Sequence, residues 1–224
     1  MAETKKGENV LIGIVTGAGR GIGREIIRAL DARELDEIWA IFENKNALQA
    51  LFASVNTPIR VLNCNLYDVD ALAAIKKELK ESHPTVKYLI HTEGLFEKEN
   101  PVIEEESACR GAVALTEIVK PYMKKEARII FTAQKYKVGE RKKASFLASQ
   151  SFIYSYGRAL HAALKKDGTN VTTVLVDRVN ANEKTARRAL RAVEANLDVL
   201  TPTWQGFFGR IFNFIMPTKI LLRM

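Results

Sequence analysis

Residues 16–23 read Thr-Gly-Ala-Gly-Arg-Gly-Ile-Gly, directly after a short apolar run and directly before an amphipathic stretch. Glycines at this spacing permit a tight turn, close approach of backbone to a phosphate, and close packing of a helix on a strand. A helix starting there offers unpaired N–H groups and a positive dipole end to an anion. The chemistry expected of Gly17, Gly19, Arg20, Gly21, Ile22 and Gly23 is dinucleotide binding through the pyrophosphate. Glu43 stands twenty positions after Gly23, where a carboxylate accepts hydrogen bonds from ribose hydroxyls and repels a 2′-phosphate. Arg20 pulls the other way, because a guanidinium pairs well with that phosphate. The expectation is NAD or NADP, with a slight lean to NAD.

Such a turn needs a strand before it and a helix after it. The sequence predicts both. Val10 to Thr16 reads as a buried strand, and Ile22, Ile26 and Leu30 fall on one helical face. Further strands are expected at Glu37 to Phe42, Ile59 to Cys64, Lys87 to His91, Ala127 to Thr132 and Val171 to Val176. Helices are expected at 45–53, with Ala47, Leu48 and Leu51 inward, and through Leu72, Ile75 and Leu79. Three more are expected from Gly111 to Met123, from Ser145 to Lys166, and over 183–197 with Ala186, Leu190, Val193 and Leu197 inward. Alternating strands and helices define an α/β fold: a doubly wound parallel sheet of about six or seven strands flanked by helices, in the order 3-2-1-4-5-6.

The turn is of the form Thr16-Gly17-xxx-Gly21-x-Gly23, and with the segments 112–123, 128–132 and 151–166 it resembles the short-chain dehydrogenases/reductases. The likeness spans about residues 8–200 and implies a Rossmann-like single domain, NAD(P) chemistry on alcohols and ketones, and dimeric or tetrameric assembly. It also implies where the chemistry should sit. A tyrosine and a lysine four residues on should open the long helix, where this chain reads Phe146-Leu147-Ala148-Ser149-Gln150. Phenylalanine carries no proton to give, and glutamine no charge to acidify a phenol. The serine position falls on Gln134 or Ala133, and the asparagine position on Ala108. His91-Thr92-Glu93-Gly94 keeps only the glycine of the family motif there, and Val176-Asp177 replaces a Pro-Gly pair. Asn65, followed by Leu66, stands for the aspartate that holds adenine, and an amide can still hydrogen-bond that base. The lobe that covers substrate in the family is almost absent after Arg178.

No catalytic residue is assigned on this reading. Tyr136, next to Lys137, is the nearest phenol to the missing serine, and Tyr154 has Arg158 four residues on. His91 and Glu93, alternating at a strand end, suit either an acid/base pair or a satisfied polar pair. No GxSxG, GxxxxGK[ST] or HExxH motif occurs, and Glu104-Glu105-Glu106 reads as a solvated helix start. Cys64 and Cys109 lack metal-site spacing and read as free, buried thiols of a cytosolic chain.

With 224 residues, 47% hydrophobic and 27% charged, the chain suits one globular domain over 1–200. The N-terminus lacks the apolar stretch of a secretory signal, and no apolar run is long enough to span a bilayer, so a cytoplasmic location is expected. The formal charge of +8 is read as a basic solvated surface and not a nucleic-acid interface, since no nucleic-acid motif accompanies it. Part of that charge is local: Lys135, Lys137, Arg141, Lys142 and Lys143 crowd one loop, and Arg187, Arg188 and Arg191 one helix. In the tail, 201–224, Trp204, Phe207, Phe208, Ile211, Phe212 and Ile215 form an apolar face at helical spacing, with Arg210, Lys219 and Arg223 nearby. That basic, amphipathic segment is expected to pack on the domain or a partner subunit, with peripheral contact at a membrane surface as the alternative.

The functional expectation is a family member without dehydrogenase activity. It would act through nucleotide binding, itself weakened or lost, or as a non-catalytic subunit of a homo-oligomer or of a hetero-oligomer with an intact homologue. Two alternatives stand beside it. One is an NAD(P)-dependent oxidoreductase for an alcohol or ketone with non-standard catalytic residues, and the other a membrane-surface or protein-interaction module.

Overall fold

The computed structural model describes residues 10–19, 21–42, 49–66, 71–92, 101–134, 144–176 and 181–201. Among the described residues seven strands form one sheet: β1 (Leu11–Thr16), β2 (Glu37–Phe42), β3 (Ile59–Asn63), β4 (Thr85–His91), β5 (Met123–Gln134), β6 (Asn170–Val176) and β7 (Val199–Leu200). Their order is β3-β2-β1-β4-β5-β6-β7, and every pairing is parallel. Among the described residues the helices are α1 (Gly21–Leu30), α2 (Gln49–Phe52), α3 (Leu72–Ser82), α4 (Pro101–Val119), α5 (Ala144–Leu164) and α6 (Glu183–Glu194). This is the doubly wound α/β architecture that the alternation of elements predicts.

The apolar residues of each strand divide between two cores because successive side chains point to opposite faces. On one face Val15, Ala40, Ile90, Ile130 and Val174 meet Ile26 and Leu30 of α1 and Ala186, Leu190 and Val193 of α6. On the other, Ile12, Ile14, Ile41, Leu89 and Ile129 meet Ile75 and Leu79 of α3, Leu115 and Val119 of α4, and Leu160 of α5. Helices cover both faces, so the central strands read as continuous hydrophobic runs. The predicted face of Ile22, Ile26 and Leu30 is fully buried, and Cys64 and Cys109 are buried and form no disulfide.

Several element boundaries differ from the sequence reading. The helix expected from Gly111 begins ten residues earlier, at Pro101, and Met123 opens β5 instead of closing that helix. Lys120–Tyr122 forms a single 3-10 turn between the two, with Pro121 inside it. Helix α5 ends at Leu164 and a 3-10 turn, Lys165–Asp167, leads to Gly168 in the left-handed region at φ 75°. Leu197 lies beyond α6 and is 48% exposed, so it does not extend the apolar stripe; Asp198 then leads into β7. The helix expected at 45–53 spans Gln49–Phe52 with Leu51 buried, while Ala47 and Leu48 lie outside the described residues. Asn182 caps α6, its side-chain oxygen accepting the Thr185 N–H at 3.1 Å.

The strand order reverses between β1 and β4. The crevice at the carboxyl ends of those two strands is where open α/β sheets place their ligands. No helix among the described residues is long and apolar enough to cross a membrane.

Candidate functional site

The predicted turn occupies that crevice. β1 ends at Thr16, and the chain turns through Gly17 at φ 65° before α1 opens at Gly21, φ 53°, both in the left-handed region. Gly23 sits one turn into α1 at the point of closest approach. A Cβ there would lie 2.3 Å from the Gly17 carbonyl oxygen and 2.7 Å from Thr92 Oγ1. Only a glycine lets the helix press against the turn at this distance.

A pair of threonines joins the turn to the next strand. The Thr92 N–H donates to Thr16 Oγ1 at 3.1 Å, and Thr92 Oγ1 donates to the Thr16 carbonyl at 2.6 Å. Both residues are buried, so these bonds act in a low-dielectric setting and fix the ends of β1 and β4 against each other. Within the turn itself, Arg24 Nη2 donates to the Gly19 carbonyl at 2.8 Å.

The predicted nucleotide residues separate by what they can offer. Gly17, Gly19, Gly21 and Gly23 form the turn and the first turn of α1. Ile22 is packed in the core, which leaves only its backbone to a ligand. Asn65 is exposed just after β3, whereas Leu66 is buried against α4. A Cβ on Gly111 would come within 2.2 Å of the Leu66 carbonyl oxygen, so this glycine brings α4 against the chain just after β3. Arg20 and Glu43 lie outside the described residues, as do Glu93, Tyr136 and Lys137.

At the carboxyl end of β5 the positions singled out by the family likeness come together. Gln134 closes the strand, Phe146 is buried in the first turn of α5, and Gln150 is buried one turn on. The Gln134 N–H donates to Gln150 Oε1 at 2.7 Å, and Gln150 Nε2 donates to Ser149 Oγ at 3.2 Å. Both ends of the Gln150 amide are thereby engaged within the protein, the oxygen by backbone and the nitrogen by a side-chain hydroxyl. Ala133 is buried on the same strand end.

Beneath this end lies a cavity lined by Thr16, Leu66, His91, Ala108, Cys109, Ala112, Thr132, Ser149, Gln150 and Ile153. It is water-sized: the centre of a water molecule can range over about 20 Å³. His91 is 4% exposed on its wall and stacks on Phe131 with ring centroids 4.8 Å apart. Its Nε2 lies 3.1 Å from Thr116 Oγ1, whose own hydroxyl proton goes to the Ala112 carbonyl at 2.7 Å. Thr116 therefore accepts, which assigns the proton to His91 Nε2 and leaves Nδ1 as an acceptor with no partner among the described residues. Burial drives the His91 pKa down to about 3, so the ring is neutral at pH 7. A neutral ring with its one proton committed to Thr116 is a poor general acid.

Two phenols of α5 are described, Tyr154 and Tyr156. Tyr154 lies under the Arg158 guanidinium, 5.7 Å from the ring centroid, and Arg158 reaches Asp198 before β7. Tyr156 packs edge-on against Phe131, and burial, with the Glu117 charge behind it, raises its pKa.

Residues 12–191 match the short chain dehydrogenase family, and the chain belongs to it. No protein of curated function matches its sequence. Among solved structures, it resembles a short chain dehydrogenase from Burkholderia cenocepacia in complex with NADP, with a TM-score of 0.73 at 16% identity over 86% of this chain and 95% of that one. A dehydrogenase/reductase from Sinorhizobium meliloti gives 0.71 at 16% identity over 85% and 92%. L-sorbose reductase from Gluconobacter frateurii, complexed with NADPH and L-sorbose, gives 0.62 at 14% identity over 75% and 69%. At these identities the likeness establishes the shared fold.

Sequence reasoning found the turn and the unusual residues at 134, 146 and 150. It missed the Thr16–Thr92 clasp, the Arg24 contact and the cavity. The clasp joins residues far apart in sequence, so no local pattern could announce it.

Proposed function

We propose that this chain is a nucleotide-binding family member that does not carry out hydride transfer, and that it acts through the bound nucleotide or as a non-catalytic subunit. The observation that carries this reading is the Gln150 amide, held on the Gln134 N–H at the place where the family resemblance calls for a lysine beside a serine. A glutamine so committed supplies no charge to acidify a phenol, and Phe146 supplies no phenol. His91 does not replace them, being neutral and bonded through its only proton.

The adenosine-diphosphate half of a dinucleotide suits what is present. The turn has the glycine conformations and close helix approach that a pyrophosphate needs, with Asn65 exposed beyond β3 for the adenine. NAD and NADP are both candidates, since Glu43 favours the first and Arg20 the second. Solved relatives hold NADP and NADPH. A bound cofactor would supply the nicotinamide ring and its hydride, but the residues at 134, 146 and 150 provide no evident proton donor for a carbonyl. Assembly with a second copy or with an intact homologue would give a chain of this kind its role.

Calorimetric titration with NADH and NADPH, alongside a carbonyl-reduction assay on a substrate panel, tests the reading. Binding without turnover is expected. Reduction above background would favour the oxidoreductase alternative, and absence of binding to both nucleotides at millimolar concentration would remove the nucleotide role.

A further inference from the structure

Arg24 is the fourth residue of α1, and its guanidinium folds back past the start of the helix to the Gly19 carbonyl, 2.8 Å from Nη2. A cation at a helix N-terminus opposes the macrodipole, so this placement is unfavourable unless something negative joins it. No acidic residue lies in the first turn of α1. The nearest carboxylate along the helix, Glu25, is taken by Arg28 at 2.8 Å. Among the described residues no carboxylate pairs with Arg24, and its Nε is buried without a hydrogen-bond partner. The helix end and the guanidinium thus converge on the turn as two positive contributions, neither compensated by a described side chain.

The contact has a second consequence. A carbonyl oxygen facing an incoming phosphate would repel it. Arg24 occupies the Gly19 oxygen with a charge-assisted bond, which neutralises that repulsion and holds the peptide in one orientation.

We propose that Arg24 is a positioning residue of the phosphate turn, tuned to the diphosphate of a nucleotide and not to its nucleoside. The inference rests on the nucleotide-binding reading above and goes beyond it by assigning this side chain and the part of the ligand it serves. Calorimetric titration of wild-type protein and Arg24→Met with ADP, NADH and adenosine, with thermal midpoints compared, tests it. Wild-type protein is expected to bind ADP and NADH more tightly than adenosine. Arg24→Met is expected to weaken ADP and NADH by roughly ten- to a hundred-fold, in line with loss of a charged hydrogen-bonding group, and to leave adenosine unchanged. Arg24→Gln loses the charge but keeps a polar side chain; it carries the same comparison if the Met variant does not fold. An equal loss for adenosine and ADP, or ADP binding unaltered in either variant, overturns the role of Arg24 while leaving nucleotide binding intact. Wild-type protein that binds none of the three overturns both.

Discussion

The side-chain carbonyl of Gln150 accepts the backbone N–H of Gln134 at 2.7 Å, tying the second turn of α5 to the last residue of β5. The bond satisfies a strand-end donor that would otherwise need a ligand or water. Gln150→Leu should therefore destabilise the fold by about 1–3 kcal/mol, the cost of stranding a partly buried donor. Urea denaturation reads this directly, and a variant as stable as wild type would show the N–H to be met by solvent.

Restoring the residue types expected from the family does not by itself restore chemistry. The double variant Phe146→Tyr, Gln150→Lys should remain at background in carbonyl reduction, because Gln134 and Ala108 still stand at the serine and asparagine positions. It should also lose stability, since a lysine at a 4% exposed position must shed its charge or break the local packing. Measurable turnover by this variant would mean that the remaining site is more complete than proposed.

Acid should weaken the fold through His91. Its folded pKa of about 3 lies below the usual unfolded value near 6.5, so the unfolded state binds the proton more readily. The stabilisation is complete above about pH 6.5 and is lost as the pH falls toward 3, at up to roughly 1.4 kcal/mol per pH unit. Denaturation at pH 7.5 and pH 5 should differ by about 2 kcal/mol in wild type, and His91→Gln should flatten that difference. Equal acid sensitivity in the two proteins would place the titrating group elsewhere.

Gly23→Ala should damage both the fold and the turn. The new methyl would stand 2.3 Å from the Gly17 oxygen, and backbone cannot yield as a flexible side chain can. A loss of about 1–3 kcal/mol is expected from overpacking, together with loss of nucleotide binding as α1 moves off the turn. Thermal denaturation and an NADH titration of the same sample check both, and full NADH affinity would separate the glycine from the site.

The fold was legible where burial imposes a period. Ile22, Ile26 and Leu30 mark α1 because one face alone is buried, and the apolar runs of β1 and β4 reflect a sheet covered on both sides. Legibility failed where burial imposes none. The start of α4 at Pro101 precedes a run of glutamates, and β5 opens through Lys124, Lys125 and Glu126, all exposed. Leu197 looked inward by spacing, but the helix ends before it. In the site, the glycine turn was readable because it is local. The His91–Thr116 bond, the Thr16–Thr92 clasp and the cavity depend on how separate elements meet, and residue types alone do not encode that.

The reversal of strand order between β1 and β4 has a bearing on how such a chain can change over time. Its crevice is a by-product of connectivity: crossovers leave the two adjacent strands in opposite directions, and no particular side chain is needed to hold the gap open. Substitutions at positions such as 134, 146 and 150 can therefore accumulate without closing it. A hollow inherited from topology outlasts any one chemistry housed in it, and remains for natural selection to reuse.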